Sequence, residues 1–359
     1  MQLLSRLPGI RSVVTAPHVK HVSLTEELAR ISSLGSPSDA DQKALQVGLT
    51  GIHESAKRCI DGPSRVLPFG SAVTGFWTPE SDVDVCIQVS NSQGGKSGTL
   101  GALKLLASEL RKRPGTLTLQ PIYTGKVPII KWRYIDRDNS SQKQVAIDVS
   151  VNNLLAVRNS ELLRTYAQCN EPLMRPLVLG IKLLARSRGM NNRAAGTLSS
   201  FSLVLMLISY LQQRRPTLLP DLQLMAERLK LPAMRIEGKE TRFFGDDLSA
   251  RRQEDHASAI KEELTRINRG VNVGIVETGQ LFKEFVRFYA FEYRGGVIKV
   301  NQNFEFAKPD AKFFVENPFE QGKDVANVTS AGADKVQDEF KRAYRLLSSG
   351  KTLAEVCRD

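Results

Sequence analysis

Two segments alternate apolar and polar residues at every second position. Along 82–89, Val83, Val85, Ile87 and Val89 fall on one side of an extended chain. Asp82, Asp84, Cys86 and Gln88 fall on the other. "VAIDVSV" repeats the pattern, with Val145, Ile147, Val149 and Val151 on an apolar side and Asp148 opposite, beside Ala146 and Ser150. Both are expected to be strands with a buried back and carboxylates on the front. Strands are also expected at 65–69, 117–120 and 127–135.

Helical spacing governs most of the remainder. Residues 26–60 place Leu28, Ile31, Leu45, Leu49 and Ile52 at apolar positions. Gly35-Ser36-Pro37 interrupts them, and Ser38-Asp39 is suited to cap a second helix. Residues 91–98 read as a Gly/Ser loop, followed by an amphipathic helix over 100–113 through Leu103, Leu106, Ala107 and Leu110. After Asn152 the pattern is helical to about Arg214 and includes an apolar core helix at 203–211. Residues 235–273 read as charged and irregular, signals return at 281–289 and 297–301, and a last helix covers 335–347. The expected class is α+β: a mixed sheet with helices first, then a mostly helical domain.

Composition narrows the classes. Apolar residues make up 41% and charged residues 25% of 359, as in a globular protein. No apolar run reaches the ~18 residues of a membrane span, so no membrane association is expected. The four cysteines and four histidines show no zinc or redox spacing, and the chain reads as intracellular and reduced. The net charge of +12 favours a polyanionic partner, with an inert basic surface as the alternative. Residues 1–25 lack Asp and Glu but carry Arg6, Arg11 and Lys20, with Leu3, Leu7, Ile10 and Val14 at helical spacing. That suggests a mitochondrial leader, although Pro8-Gly9 breaks the helix and an ordinary N-terminus, with a cytoplasmic protein, is the alternative.

Three carboxylates on two strands repel one another unless a cation sits among them. Oxygen-only donors favour Mg²⁺, which arrives with substrate phosphates. Edge-strand aspartates facing water are the competing explanation. Gly70-Ser71, just upstream, supplies a close backbone approach and a hydroxyl suited to phosphate. "GGKSG" at 94–98 is not a P-loop, because Ser90 stands where that pattern needs Gly.

"GSAVTGFWTPESDVDV" resembles the signature of the DNA polymerase β-type nucleotidyltransferases. "VSVNNLLAVRNSELLRTY", "RPLVLGIKLLARSRGMN", "GTLSSFSLVLMLISYL" and "VENPFE" resemble segments of non-canonical poly(A) polymerases and terminal uridylyltransferases. The likeness spans roughly 45–347. The absence of an inserted domain or zinc finger resembles the minimal trypanosomatid enzymes, including a mitochondrial one of an editosome-like complex.

The resemblance implies a polymerase β-like palm and a helical poly(A)-polymerase-associated domain, with the active site in the cleft between them. After the leader at 1–25 read from composition, it implies a helix at 26–40 packed on the C-terminal domain, a catalytic domain at 41–152 and a base-recognition domain at 153–359. Asp82, Asp84 and Asp148 would hold two Mg²⁺ ions, replaceable by Mn²⁺, and Asp148 would take the 3′-OH proton. Gly70 and Ser71 would meet phosphate, and Lys182 and Arg186 the β- and γ-phosphates, with Arg where relatives carry Lys. Asn159 and Ser160 would read the ribose and base edge, although Ser160 also suits a helix N-cap. Ser200 would reach a phosphate and Phe201 would stack on the base, with Phe in place of the usual Tyr. Arg133 is a further nucleotide-site candidate. At the base edge Asn317 replaces an acid, Glu320 is kept, and Lys323 stands where some relatives have His. The implied activity is uridylyl transfer from UTP to an RNA 3′ end. ATP-selective poly(A) addition and an inactive RNA-binding scaffold are the alternatives.

Overall fold

The structure is a computed structural model describing residues 22–90, 95–136, 143–245, 253–271, 274, 276–302 and 312–358. The first 21 residues of the expected leader lie outside that set. The chain divides into two compact units. One is Gly35–Thr165, and the other joins α1 (Leu24–Leu34) to the chain from Tyr166 onward.

The unit Gly35–Thr165 begins with α2 (Asp39–Cys59). Ser38 caps it as its sequence suggests. The Ser38 hydroxyl accepts from the Asp41 amide, and the Asp41 carboxylate accepts from the Ser38 amide. There follow β1 (Ser64–Phe69), a single turn α3 (Ser71–Thr74), β2 (Val83–Val89), α4 (Gly95–Lys112), β3 (Thr116–Ile122), β4 (Ile129–Ile135), β5 (Gln144–Val151) and α5 (Leu154–Cys169). Helix α4 begins at Gly95, so the end of the expected 91–98 loop is helical instead, and 91–94 lie outside the described residues.

The five strands form one mixed sheet in the order β1-β2-β5-β4-β3. The β2–β5 pair is parallel, and the other pairs are antiparallel. The two carboxylate-bearing strands are therefore interior, which removes the edge-strand explanation. Val83, Val85, Ile87, Ile130, Trp132, Val145, Ile147, Val149 and Val151 line one face of the sheet. They are buried against Ala44, Ile52 and Ala56 of α2 and Leu103, Leu106 and Leu110 of α4. At roughly 25 cal/mol per Å² of apolar area, this face is the principal source of the unit's stability. Cys86 departs from the alternation. It points away from this core yet is fully buried, and its Sγ accepts from the Asn153 amide at 3.1 Å.

In the other unit, α6 (Glu171–Ser187) packs on α1, and Gly180 lets the two approach. A Cβ at Gly180 would lie 2.3 Å from Leu28 Cδ2. Next come a 3₁₀ turn (Arg193–Ala195), α7 (Ser200–Gln213) and α8 (Leu222–Arg228). Helix α7 is the expected core helix, buried from Ser202 to Gln212. The segment expected to be irregular contains a small ribbon, β6 (Arg235–Ile236) with β7 (Lys239–Glu240), and a full helix, α9 (Gln253–Ile267). Helix α10 (Thr278–Arg287) runs into a π turn (Phe288–Glu292). Strands β8 (Val297–Ile298), β9 (Phe314–Asn317) and β10 (Glu320–Asp324) form a three-stranded sheet. Helices α11 (Ser330–Ser348) and α12 (Leu353–Val356) close the chain.

Candidate active site

In the unit Gly35–Thr165 the site stands on the face of the sheet opposite its apolar core. Asp84 and Asp148 are register partners across the parallel β2–β5 pair, so their side chains emerge together. Asp82 lies just before β2 and its side chain is 52% exposed, whereas that of Asp148 is 18% exposed. The turn leading into β2 is fixed by local bonds. Trp77 Nε1 donates to Ser81 O at 3.2 Å, and the Thr78 and Ser81 hydroxyls are 2.8 Å apart.

Gly70 closes the site from the β1 side. Its φ is +67° and its ψ is −147°, a conformation that L side chains rarely adopt. A Cβ there would lie 2.4 Å from Asp84 Oδ2, so the backbone is pressed against the catalytic candidate. The Gly70 amide donates to Ser160 Oγ at 2.8 Å, and Ser160 Oγ donates to Ala156 O at 2.9 Å. Ser160 is not a helix cap, because α5 starts at Leu154 and places it in the helix interior. It holds the Gly70 turn in position. Beside it Asn159 is buried, and its Oδ1 has no hydrogen-bond partner among the described residues. An unpaired buried acceptor is costly. Ser71 opens the single turn α3.

Lys131 is the residue that sequence reasoning missed. It is the register partner of Asp148 on β4. Its Nζ lies 2.7 Å from Asp148 Oδ2 and 3.9 Å from Asp82 Oδ2. The available signal was the alternation in "IIKWRYI", which puts Lys131 on the carboxylate side and Ile130 and Trp132 in the core. Arg133 follows on the same side, opposite Ala146, and is exposed.

The charges shift one another. Burial raises the Asp148 carboxyl above the ordinary aspartate range, and the Asp82 charge adds to this. The hydrogen bond and charge of Lys131 offset only part of it. Burial works against the Lys131 ammonium. Its bond to Asp148 and the charges of Asp148, Asp82 and Asp84 outweigh that and hold its pKa above the ordinary value.

The expected gathering of three carboxylates is present in part. Asp84 adjoins Asp148 and Lys131 bridges Asp148 to Asp82, but among the described residues no three Asp, Glu, His or Cys side chains are close enough to hold a metal ion. The donor set nonetheless suits a hard cation. It offers only carboxylate oxygens, and a lysine ammonium already stands in for a cation among them.

The remaining candidates lie in the other unit. Lys182 and Arg186 are four residues apart on α6, so they share a face. Lys182 is half-buried and Arg186 exposed. Ser199 caps α7 reciprocally with Ser202, which sets Ser200 and Phe201 in the first turn. Ser200 Oγ accepts from Asn191 Nδ2 at 2.8 Å, and Phe201 is half-buried rather than a core residue. Asn317 and Glu320 face each other across the two-residue turn between β9 and β10. Pro318 O in that turn accepts from Asn301 Nδ2 at 3.2 Å and Gln223 Nε2 at 3.3 Å. Phe319 anchors the turn by packing on Phe243 at 6.2 Å.

Residues 24–168 match the family described as "Poly(A) RNA polymerase, mitochondrial-like, central palm domain". Terminal uridylyltransferase 4 of Mus musculus is 27% identical over 313 residues, covering 85% of this chain and 18% of that protein. Poly(A) RNA polymerase cid13 of Schizosaccharomyces pombe is 31% identical over 304 residues, covering 80% of this chain and 47% of its own. The chain thus spans about a fifth and about half of the length of these relatives. Among solved structures, the Cid1 poly(U) polymerase with MgGTP superposes with a TM-score of 0.75 at 23% identity, over 95% of this chain and 100% of that one. Cid1 with the UTP analog UMPNPP gives a TM-score of 0.74 at 23% identity, over 93% and 98%. The protein has the Cid1-like nucleotidyltransferase fold, with a palm domain and a helical C-terminal region.

Proposed function

We propose that this protein transfers a nucleoside monophosphate, preferentially UMP from UTP, to the 3′-OH of RNA. One observation carries the proposal: Asp84 and Asp148 aligned on two interior parallel strands, with the Gly70 turn pressed on the Asp84 carboxylate. The matches to enzymes named terminal uridylyltransferases and poly(A) polymerases support it.

In this scheme the RNA 3′-oxygen forms a bond to the α-phosphorus. The α–β phosphoanhydride breaks, and pyrophosphate leaves with the bonding pair. Asp82, Asp84 and Asp148 would hold Mg²⁺, which would supply charge that makes the 3′-OH more acidic and steadies the departing pyrophosphate. Asp148 accepts the hydroxyl proton. At the Gly70 turn, Ser71 offers its hydroxyl to phosphate. Lys182 and Arg186 offset the charge of the β- and γ-phosphates. Asn159 Oδ1 awaits the ribose 2′-OH as donor, which favours ribonucleotides. Phe201 supplies a ring for stacking, which does not choose among bases.

UTP is preferred over ATP because Glu320 keeps an acceptor oxygen for the uracil N3–H. The ATP alternative is favoured by the relatives named poly(A) polymerases. Pyrophosphate release with UTP should require RNA with a free 3′-OH and fall to background with RNA ending in a 3′-deoxynucleotide. Equal release with both RNAs would contradict transfer to the 3′ end. The acid-free basic leader supports mitochondrial import, in which case N-terminal sequencing of protein from its host cell finds residues 1–15 or more removed. An intact Met1 would contradict import.

A further inference from the structure

The Ser160 hydroxyl is committed on both sides. Helix α5 runs from Leu154 to Cys169, and one turn before Ser160 the Ala156 carbonyl accepts its hydrogen at 2.9 Å. The Gly70 amide donates to the same Ser160 oxygen at 2.8 Å. A carbonyl can only accept and a backbone N–H can only donate, so neither bond can be reversed. Ser160 is also buried. Its single hydrogen is spent inside the helix, so a base carbonyl or a phosphate oxygen would find no donor there.

Gly70 passes this anchorage on to a carboxylate. It follows Phe69, the register partner of Asp84 across the β1–β2 pair. Asp84 Oδ2 lies against the face of Gly70 from which a side chain would start. The turn's own bonds set its shape: the Val73 amide donates to Gly70 O at 3.3 Å, and Thr74 Oγ1 donates to Ser71 O at 3.4 Å. The Ser160 bond sets where the turn sits relative to α5. Without that bond a partly buried N–H loses its acceptor, which favours movement of the turn toward water. Asp84 then loses the wall that limits its rotamers.

We propose that Ser160 is a positioning residue of the transfer reaction: through the Gly70 amide it holds the turn against Asp84 and fixes that carboxylate, and it does not read the base. This rests on the nucleotidyl-transfer reading for the role of Asp84. It departs from the base-edge role that the resemblance implies for Ser160. Ser160 then acts on the rate of transfer and leaves the choice of nucleotide to other groups.

Steady-state extension of single-stranded RNA with UTP and with ATP, by wild type, Ser160→Ala and Ser160→Thr, tests this. Alanine loses both bonds. Threonine keeps the hydroxyl and, inside a helix, bonds back to the same carbonyl. Ser160→Ala should lower kcat at least about tenfold, because misplacing a reacting group costs rate steeply. The KM for UTP should change by less than about threefold, and the UTP-to-ATP ratio of kcat/KM should stay the same. Ser160→Thr should keep kcat within about threefold of wild type. Melting temperatures show which variants are folded. If the alanine variant is not, Ser160→Cys, with a weaker donor and acceptor, should lower kcat in the same direction. Unchanged kcat in the folded variant, a shifted UTP-to-ATP ratio, or a threonine variant as slow as alanine would overturn the proposal. Amide hydrogen exchange separates the two readings. The Gly70 amide should exchange at least about tenfold faster in Ser160→Ala than in wild type, whether or not RNA is extended. No extension by wild type together with that acceleration contradicts the proposed function and leaves the Gly70 anchor standing. Extension by wild type with unchanged Gly70 exchange in the alanine variant contradicts this inference alone.

Discussion

Gly70 shows how much of the site hangs on a single residue. Its φ of +67° and the 2.4 Å gap between a virtual Cβ and Asp84 Oδ2 leave no room for a side chain. Gly70→Ala should cost about 1–3 kcal/mol of stability. By displacing Asp84, it should also lower transfer by roughly 100-fold. Urea unfolding and turnover measured on the same preparation check both. Glu27 gives a pH-dependent test away from the site. It is 7% exposed and accepts from the Leu353 amide at 2.8 Å. Burial raises its pKa above the ordinary 4.5, against the pull of the Leu353 and Ala354 amides. A raised carboxyl contributes its stability fully below 4.5 and loses it as pH rises through the folded value. Glu27→Gln should therefore be more stable than wild type at neutral pH, and the advantage should vanish below pH 4.5. Urea midpoints across pH check this. The aspartates and Gly70-Ser71 were legible in sequence because strand alternation assigns faces without further information. The bond from the Phe319 amide to Asn317 Oδ1 was not, because it depends on how the turn between β9 and β10 folds.

Among elements, β2, β5 and β4 carry the chemistry because alternation puts most of their large apolar residues on the α2–α4 side and leaves Asp84, Asp148 and Lys131 on the other. Lys131 offsets repulsion between carboxylates that would otherwise strain the sheet. Lys131→Met should lower the melting temperature in EDTA, and millimolar Mg²⁺ should restore much of the loss by binding the uncovered carboxylates. A variant equally stable in EDTA and Mg²⁺ would show that Lys131 has no such role. The same alternation made β1 to β5 legible to within a few residues. Helix α9 and the β6–β7 ribbon were not legible. Helix α9 is densely charged, and only part of one face is buried, through His256, Ile260 and Glu263. Its place is set by contacts such as the bridge from Arg228 of α8 to Glu263 at 2.5 Å, which no local pattern announces. Ser160, for which the sequence also allowed a cap, lies inside α5 instead. Its hydroxyl is engaged by Gly70, 90 positions away.

At the scale of the whole molecule, a net charge of +12 and a palm-type sheet bearing paired carboxylates fit an enzyme that works on a polyanion. Each of the two units contributes candidates to the proposed reaction. The sheet supplies the carboxylates and the Gly70 turn, and the helical unit supplies basic, aromatic and base-edge residues. The central claim is that the Asp84–Asp148 pair drives nucleotidyl transfer to an RNA 3′ end. Extension of an end-labelled single-stranded RNA by wild type and by Asp84→Asn, with UTP and Mg²⁺, tests it most directly. The account predicts a ladder of longer products with wild type and unextended RNA with a folded Asp84→Asn protein. Unextended RNA with wild type, or equal extension by both proteins, would contradict it.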